Sequence, residues 1–201
     1  MSAAPVLKSA DQIGSFHIQG PRVALRPLNM SDAERVYAHM NDFDVVKNLS
    51  RAPWPYGLTE AVQWLSRLEA AANQRTDYPF AIVTGDGLIG VVGISAGHGD
   101  IELGYWLGRS AWGKGYATEA ARLALGFAFY ELELNEITAG HFADNAASGR
   151  VLQKLGFAYT SDVARFSNAR ACDVLCRMMI LPRERFQRLK TADEGGMSHG
   201  G

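Results

Sequence analysis

One stretch of the sequence, Leu107-Gly-Arg-Ser-Ala-Trp112-Gly-Lys-Gly-Tyr-Ala-Thr118-Glu-Ala120, constrains the fold more than any other. It reads as a strand that empties into a glycine-rich turn and continues as a helix with no linker between. The first turn of a helix leaves backbone N–H groups without partners and carries the positive end of the macrodipole. Gly113 and Gly115 let an anion approach that backbone with no Cβ in the way, so the pattern predicts a phosphate-binding turn.

Three phosphate-binding patterns compete for these residues. Gly108 to Lys114 fits the first seven positions of a nucleoside-triphosphate loop, but the eighth is Gly115, where that loop needs a hydroxyl for magnesium. The dinucleotide fingerprint wants three glycines in an early βαβ unit, and here Thr118 stands at the third glycine position, mid-chain. The remaining pattern, Trp112-Gly-Lys-Gly115-Tyr-Ala117, resembles the pyrophosphate loop of the GNAT superfamily of acetyl-CoA-dependent N-acetyltransferases. Trp112 departs from the polar first position of the general motif, in the manner of the branch that resembles the Rim-type ribosomal-protein N-acetyltransferases.

A second segment carries the same resemblance. His141-Phe-Ala-Asp-Asn145-Ala-Ala-Ser148 followed by Leu155-Gly156-Phe157 is similar to the other acetyl-CoA motif of that branch, in the same order along the chain. Read physically, it is a strand end at about 137–141, then a helix with Asn145 as N-cap and a stop at Gly156. Arg22-Val-Ala-Leu-Arg-Pro-Leu28 with Ser31-Asp32, and Asp100-Ile-Glu102-Leu-Gly-Tyr-Trp-Leu107, extend the likeness over about 22–181. Expected boundaries are an N-terminal arm at 1–21, an N-acetyltransferase domain at 22–190 and a poorly ordered tail at 191–201, rich in Gly, Ser and acidic residues.

Periodicity supplies the layout. A strand is predicted near 23–26, a helix capped by Ser31 through about Met40, and a second helix opened by Thr59 and Glu60, with Ala61, Trp64, Leu65 and Leu68 at helical spacing. Strands at 78–83, 88–95 and 101–107, parted by glycine-containing turns, read as an antiparallel meander. A helix over 118–130 and a strand near Ile137 make a crossover, so the sheet is mixed. The predicted class is α/β (α+β): a mixed, mostly antiparallel twisted sheet flanked by helices. The resemblance adds splayed central strands at the cofactor site.

Composition bounds the remaining possibilities. The chain has 201 residues, 47% of them hydrophobic, which suffices for one core without disulfides or metal. Net charge is −1 with both signs interspersed, which argues against nucleic acid and against a basic membrane-binding surface. No run approaches the ~18 apolar residues of a membrane span, and no signal segment is evident, so a cytoplasmic location is expected. Cys172 and Cys176 fall on one predicted strand with no second Cys or His pair, and are read as reduced thiols rather than a disulfide or a zinc site.

The resemblance implies acetyl-CoA as acyl donor, no metal, and a primary amine as acceptor, whether a peptide N-terminus or a small molecule. It makes Leu107, Trp112, Gly113, Lys114, Gly115, Tyr116 and Ala117 cofactor-binding, with amides of the Leu107 region polarising the acetyl carbonyl, those from Gly113 to Ala117 holding the pyrophosphate and Lys114 either touching phosphate or solvated, and gives Asn145 either a cofactor contact or a capping role. Glu102 is the candidate for taking the amine proton, with His141 or water as the other possibilities. Many superfamily members carry a tyrosine seven residues after the motif asparagine; here that position is Leu152, and the resemblance nominates Ser148 as the hydroxyl near the leaving sulfur. Trp54-Pro55-Tyr56 reads either as a wall of the acceptor pocket or as a lid over the core. A noncatalytic acyl-CoA-binding or partner-binding module is the alternative to an enzyme, and a homodimer is compatible with the pattern.

Overall fold

The computed structural model describes residues 17–71, 77–96 and 100–196. Eight strands form one sheet in the order β1-β2-β3-β4-β5-β6-β8-β7. The strands are β1 (Ile18–Gln19), β2 (Ala24–Pro27), β3 (Asp77–Thr84), β4 (Gly87–Ala96), β5 (Ile101–Leu107), β6 (Glu136–Phe142), β7 (Ala158–Ser167) and β8 (Cys172–Pro182). All neighbours are antiparallel except β5 and β6, which meet in parallel at the single pairing Glu102 with Thr138. The helices are α1 (Ala33–Met40), α2 (Phe43–Val46), α3 (Leu58–Ala71), α4 (Tyr116–Gly126), α5 (Ala146–Lys154) and α6 (Arg183–Gly196).

Strand alternation sorts side chains into two cores. Phe80 and Ile82 of β3, Val92 and Ile94 of β4, and Leu103 and Leu107 of β5 face one side, against Ala120, Ala121, Ala124 and Leu125 of α4 and Phe186 of α6. The small alanines let α4 lie close on the sheet. Beyond Gly126 the helix widens into a π turn, Phe127–Glu131, which turns Phe127, Ala128 and Phe129 inward in succession. On the other face Ala81, Val83 and Trp106 pack with Val36 and Met40 of α1, Val45 and Val46 of α2, and Tyr56 and Ala61.

Several boundaries differ from the sequence reading for local reasons. The N-cap ahead of α1 is Asn29, not Ser31: Asn29 accepts from the Ser31 amide, and Asp32 reaches back to the Asn29 amide at 3.0 Å, closing a capping box over a short 3-10 turn (Met30–Asp32). α4 starts at Tyr116, two residues early, because Gly115 in the left-handed region serves as its cap. Residues 18 and 19 of the expected arm pair with β2, and α6 continues through 191–196 of the expected tail; 1–16 and 197–201 lie outside the described residues. Cys172 is exposed and Cys176 buried, and both are free thiols. Among the described residues no helix is long and apolar enough to cross a membrane.

Asp32 does more than cap. Its buried carboxylate accepts from Arg26 at 2.6 and 2.8 Å, tying β2 to the start of α1. Burial alone would raise its pKa, but the Arg26 hydrogen bonds, the Asn29 amide and the guanidinium charge outweigh it and hold the carboxyl below its ordinary 3.8. A lowered folded-state pKa contributes stability that is complete above the unfolded value and is lost as pH falls through the folded one. Asp32→Asn is therefore expected to cost roughly 2–3 kcal/mol at neutral pH. Urea denaturation should show that gap from wild type shrinking as the pH is lowered from about 5 toward 2.

Candidate active site

β5 pairs with β4 along its whole length but touches β6 only at its start, where Thr138 Oγ1 donates to the Ile101 carbonyl at 3.1 Å. Past that point the two strands part, and a cavity of about 460 Å³ opens between them. The turn after β5 and the start of α4 form one wall; the end of β6 and the start of α5 form the other. Of the residues expected to act, Glu102, Leu107, Trp112, Gly113, Gly115, Tyr116, Ala117, Asn145 and Ser148 all line this cavity, as does His141. Lys114 is not among the lining residues.

The glycine turn has the geometry its composition demands. Gly113 and Gly115 hold φ of 74° and 81°, a region costly for side-chain-bearing residues. A Cβ on Gly113 would meet nothing within 4 Å, so the space beside this backbone is open. No side chain caps α4, which leaves its first-turn amides facing the cavity mouth. Trp112 fixes the other end of the turn by donating its indole N–H to the Leu107 carbonyl at 2.8 Å.

Arg22, 92 residues away in sequence, clamps the turn from outside: Nη1 donates to the Lys114 carbonyl at 2.9 Å and Nε to Glu119 at 2.8 Å, while Cζ stacks 5.4 Å from the Tyr116 ring centroid. The backbone amides of Arg22 and Val23 donate to the other Glu119 oxygen at 2.7 and 3.1 Å. These bonds outweigh the burial that would raise the Glu119 pKa, and lower it. Lys114 thus contributes its carbonyl to the clamp, and the cation that organises the turn is Arg22.

Ser148 sits in the first turn of α5, and its amide donates to the Asn145 side chain at 3.1 Å, so Asn145 caps this helix. Its hydroxyl lies 2.8 Å from the Tyr105 hydroxyl, which also donates to the Ser148 carbonyl at 3.3 Å. Burial pushes the Tyr105 phenol up to about 12, against a smaller lowering by Ser148, so it keeps its proton at neutral pH. Strand alternation puts Tyr105 on the face of Leu103 and Leu107, opposite Glu102, and nothing local in the sequence signals a partner 43 positions away. A phenol thus stands beside Ser148, contributed by β5 and not by position 152.

Glu102 is held by a residue the sequence reading also missed. Arg165 of β7 donates to its two oxygens at 2.7 and 3.3 Å. Burial would lower the Arg165 pKa, but hydrogen bonding to Glu102 and its charge raise it, so the guanidinium is a permanent cation here. His141 is buried with both ring nitrogens engaged, Nδ1 with the Phe142 carbonyl at 2.8 Å and Nε2 with the Tyr159 hydroxyl at 3.1 Å. A carbonyl only accepts, so Nδ1 carries a proton, and Nε2 shares a hydrogen bond with the Tyr159 hydroxyl.

A second cavity, about 750 Å³, lies over β3, β4 and β5 beneath α3. Tyr56, Trp64 and Trp106 give it aromatic walls, and Arg51, Asp77 and Glu60 give it charge. Burial raises the Asp77 pKa and Arg51 partly opposes it. Of the Trp54-Pro55-Tyr56 loop, Tyr56 is buried and walls this cavity, whereas Trp54 is exposed and packs edge-on against Phe43 at 5.4 Å.

The sequence and fold together identify the class. The family model described as "Acetyltransferase (GNAT) domain" matches residues 22–158. The probable N-acetyltransferase YjcK of Bacillus subtilis is 33% identical over 149 residues, covering 70% of this chain and 82% of that protein. The structure of Mycobacterium smegmatis RimJ in complex with CoA-disulfide superposes with a TM-score of 0.73 at 25% identity, covering 85% of this chain and 89% of that one. A putative acetyltransferase from T. thermophilus gives 0.75 at 24% identity, covering 89% and 95%. The chain belongs to the GNAT acetyltransferase family and is an acetyltransferase.

The turn fits the pyrophosphate of CoA: two left-handed glycines, open space beside Gly113 and uncapped helix amides. Arg22→Ala should leave the chain folded and weaken CoA binding about tenfold, or ~1.4 kcal/mol, by calorimetry. Lys114→Ala should change it less than about twofold, or ~0.4 kcal/mol.

Proposed function

We propose that this chain is an acetyl-CoA-dependent N-acetyltransferase that moves the acetyl group to a primary amine by direct attack within a ternary complex. The acceptor is a peptide N-terminus or a small amine. The observation that carries the reading is the meeting of two cavities: the one bordered by the glycine turn and the larger one behind β5 share Leu49, Ser50, Gly104, Tyr105 and Trp106. A donor and an acceptor entering from opposite faces would come together beside Tyr105 and Ser148 without a covalent enzyme intermediate.

When bound, acetyl-CoA supplies a thioester that an amine can attack directly. The turn from Gly113 to Ala117 then holds the pyrophosphate through main-chain amides, with Asn145 serving the site by fixing the first turn of α5. The Ser148 hydroxyl gives its proton to the departing sulfur while the Tyr105 phenol, 2.8 Å away, donates its own to Ser148 Oγ, and the phenolate this leaves is reprotonated from water in the cavity. Glu102, anchored by Arg165, draws the incoming ammonium toward the junction and receives its proton directly or through water. His141 acts as a structural residue in this scheme, since both its ring nitrogens are engaged. No metal enters it, and the reading places the chain in the cytoplasm.

Calorimetry with acetyl-CoA, with Mg-ATP as control, tests donor binding, and CoA release over a panel of amines and peptides tests transfer. Tight acetyl-CoA binding with no transfer to any amine would instead indicate a noncatalytic acyl-CoA-binding module. Ser148→Ala is expected to lower kcat about tenfold to a hundredfold while acetyl-CoA affinity stays within about twofold; unchanged kcat would remove Ser148 from the chemistry. Glu102→Gln should depress the plateau of the pH–rate profile, and a wild-type profile would shift proton removal to water.

A further inference from the structure

Gly104 is an unusual residue to find in the middle of a central strand. Its φ is not in the left-handed region, so the backbone does not require glycine. No neighbour crowds it either: a Cβ built there meets nothing within 4 Å. The same is not true of Gly93, paired with it on β4, where a Cβ would stand 3.3 Å from Pro79 Cα. Pro79, Gly93 and Gly104 are register partners on three adjacent strands, so this row of the sheet carries only the proline ring on the face that bears the larger cavity. The flanking rows are filled, by Asp77, Ser95 and Glu102 on one side and by Ala81, Val91 and Trp106 on the other.

Gly104 also lines both cavities, and it alone among their shared residues has no side chain. We infer that Gly104 is the aperture through which the acceptor amine reaches the thioester, and that its missing side chain sets how much bulk around that amine the enzyme accepts. This rests on the two-sided reading of the site given above. Glu102 precedes the aperture by two residues on the same strand face, so the carboxylate stands at the rim where an ammonium would pass. Amines on an unbranched carbon present the least width there. A peptide N-terminus, whose amine carbon bears both a side chain and a carbonyl, presents more and is the more sensitive to any added group.

The test is a size series at one position. Gly104→Ala and Gly104→Val should melt within about 3 °C of wild type, since the added atoms enter open space. CoA affinity should stay within about twofold. Against whichever amine wild type uses best in a panel of straight-chain alkylamines and short peptides, kcat/KM should fall about tenfold in the alanine variant and about a hundredfold in the valine variant, with peptides losing more than alkylamines. Undiminished transfer by Gly104→Val would overturn the aperture, and so would an equal loss of CoA affinity, which would make position 104 part of the donor site alone.

Accessibility separates this from the catalytic reading. In Gly104→Cys saturated with acetyl-CoA, methyl methanethiosulfonate should still modify the introduced thiolate: its sulfur forms a disulfide with the S-methyl group, the reagent's S–SO2 bond breaks and methanesulfinate leaves. Peptide mass spectrometry reads position 104 apart from Cys172 and Cys176. Labelling with the donor side filled supports a second entrance even if wild type transfers acetyl to no amine in the panel, which would count against the proposed function. Complete protection by acetyl-CoA would overturn the aperture even if transfer is robust.

Discussion

The site depends on a parallel pair of strands that stay together for a single residue pairing. Between β5 and β6 the ladder is one pairing long, and everything beyond it is a gap in an otherwise continuous sheet. Parallel neighbours need a long crossover, and here that crossover is α4, whose start must lie at the end of β5 where the gap is widest. α5 begins at the end of β6, on the facing edge. Two helix N-termini thus converge on the same opening, and each brings unpaired amides and the positive end of a dipole. The gathering of helix N-termini at the cleft is therefore a product of topology before any side chain is considered.

Arginines then fix the periphery. Arg22 ties the glycine turn to β2, Arg109 joins that turn's start to Asp42 and Asp44 beside α2, and Arg170 links Asp144 to the Lys47 carbonyl. The Asn168 amide and side chain add bonds to the carbonyls of Ser50 and Arg51. The segment around Leu49 and Ser50, which lines both cavities, is in this way stapled from both ends. The exposed pairs each contribute little to stability by themselves. Their effect is to give an irregular segment one position.

What was legible in the sequence was local. The strand at 101–107 matches β5 residue for residue, and the turn that follows it announced itself because two left-handed positions need two glycines. The mixed sheet and its crossover followed from the order of periodicities. The cap at Asn29 was obscured because Asn, Ser and Asp stand nearly together at 29, 31 and 32, and only the backbone decides which side chain turns inward. Tyr105, Arg165 and Arg22 could not be read at all. Each acquires its role from a partner dozens of residues away, and their local patterns say only that a tyrosine alternates with core residues or that an arginine lies on an edge strand.

Arg165 reaches Glu102 from β7, across β6 and β8, with its guanidinium passing over Gly140, where a Cβ would meet it at an ordinary 3.7 Å but collide with the sulfurs of Cys176 and Met178 at 2.8 and 2.9 Å. The pair therefore works as a strut, joining the two halves of the sheet over the place where their ladder fails. The carboxylate that lines the cleft is in this way also what fastens its two walls to each other.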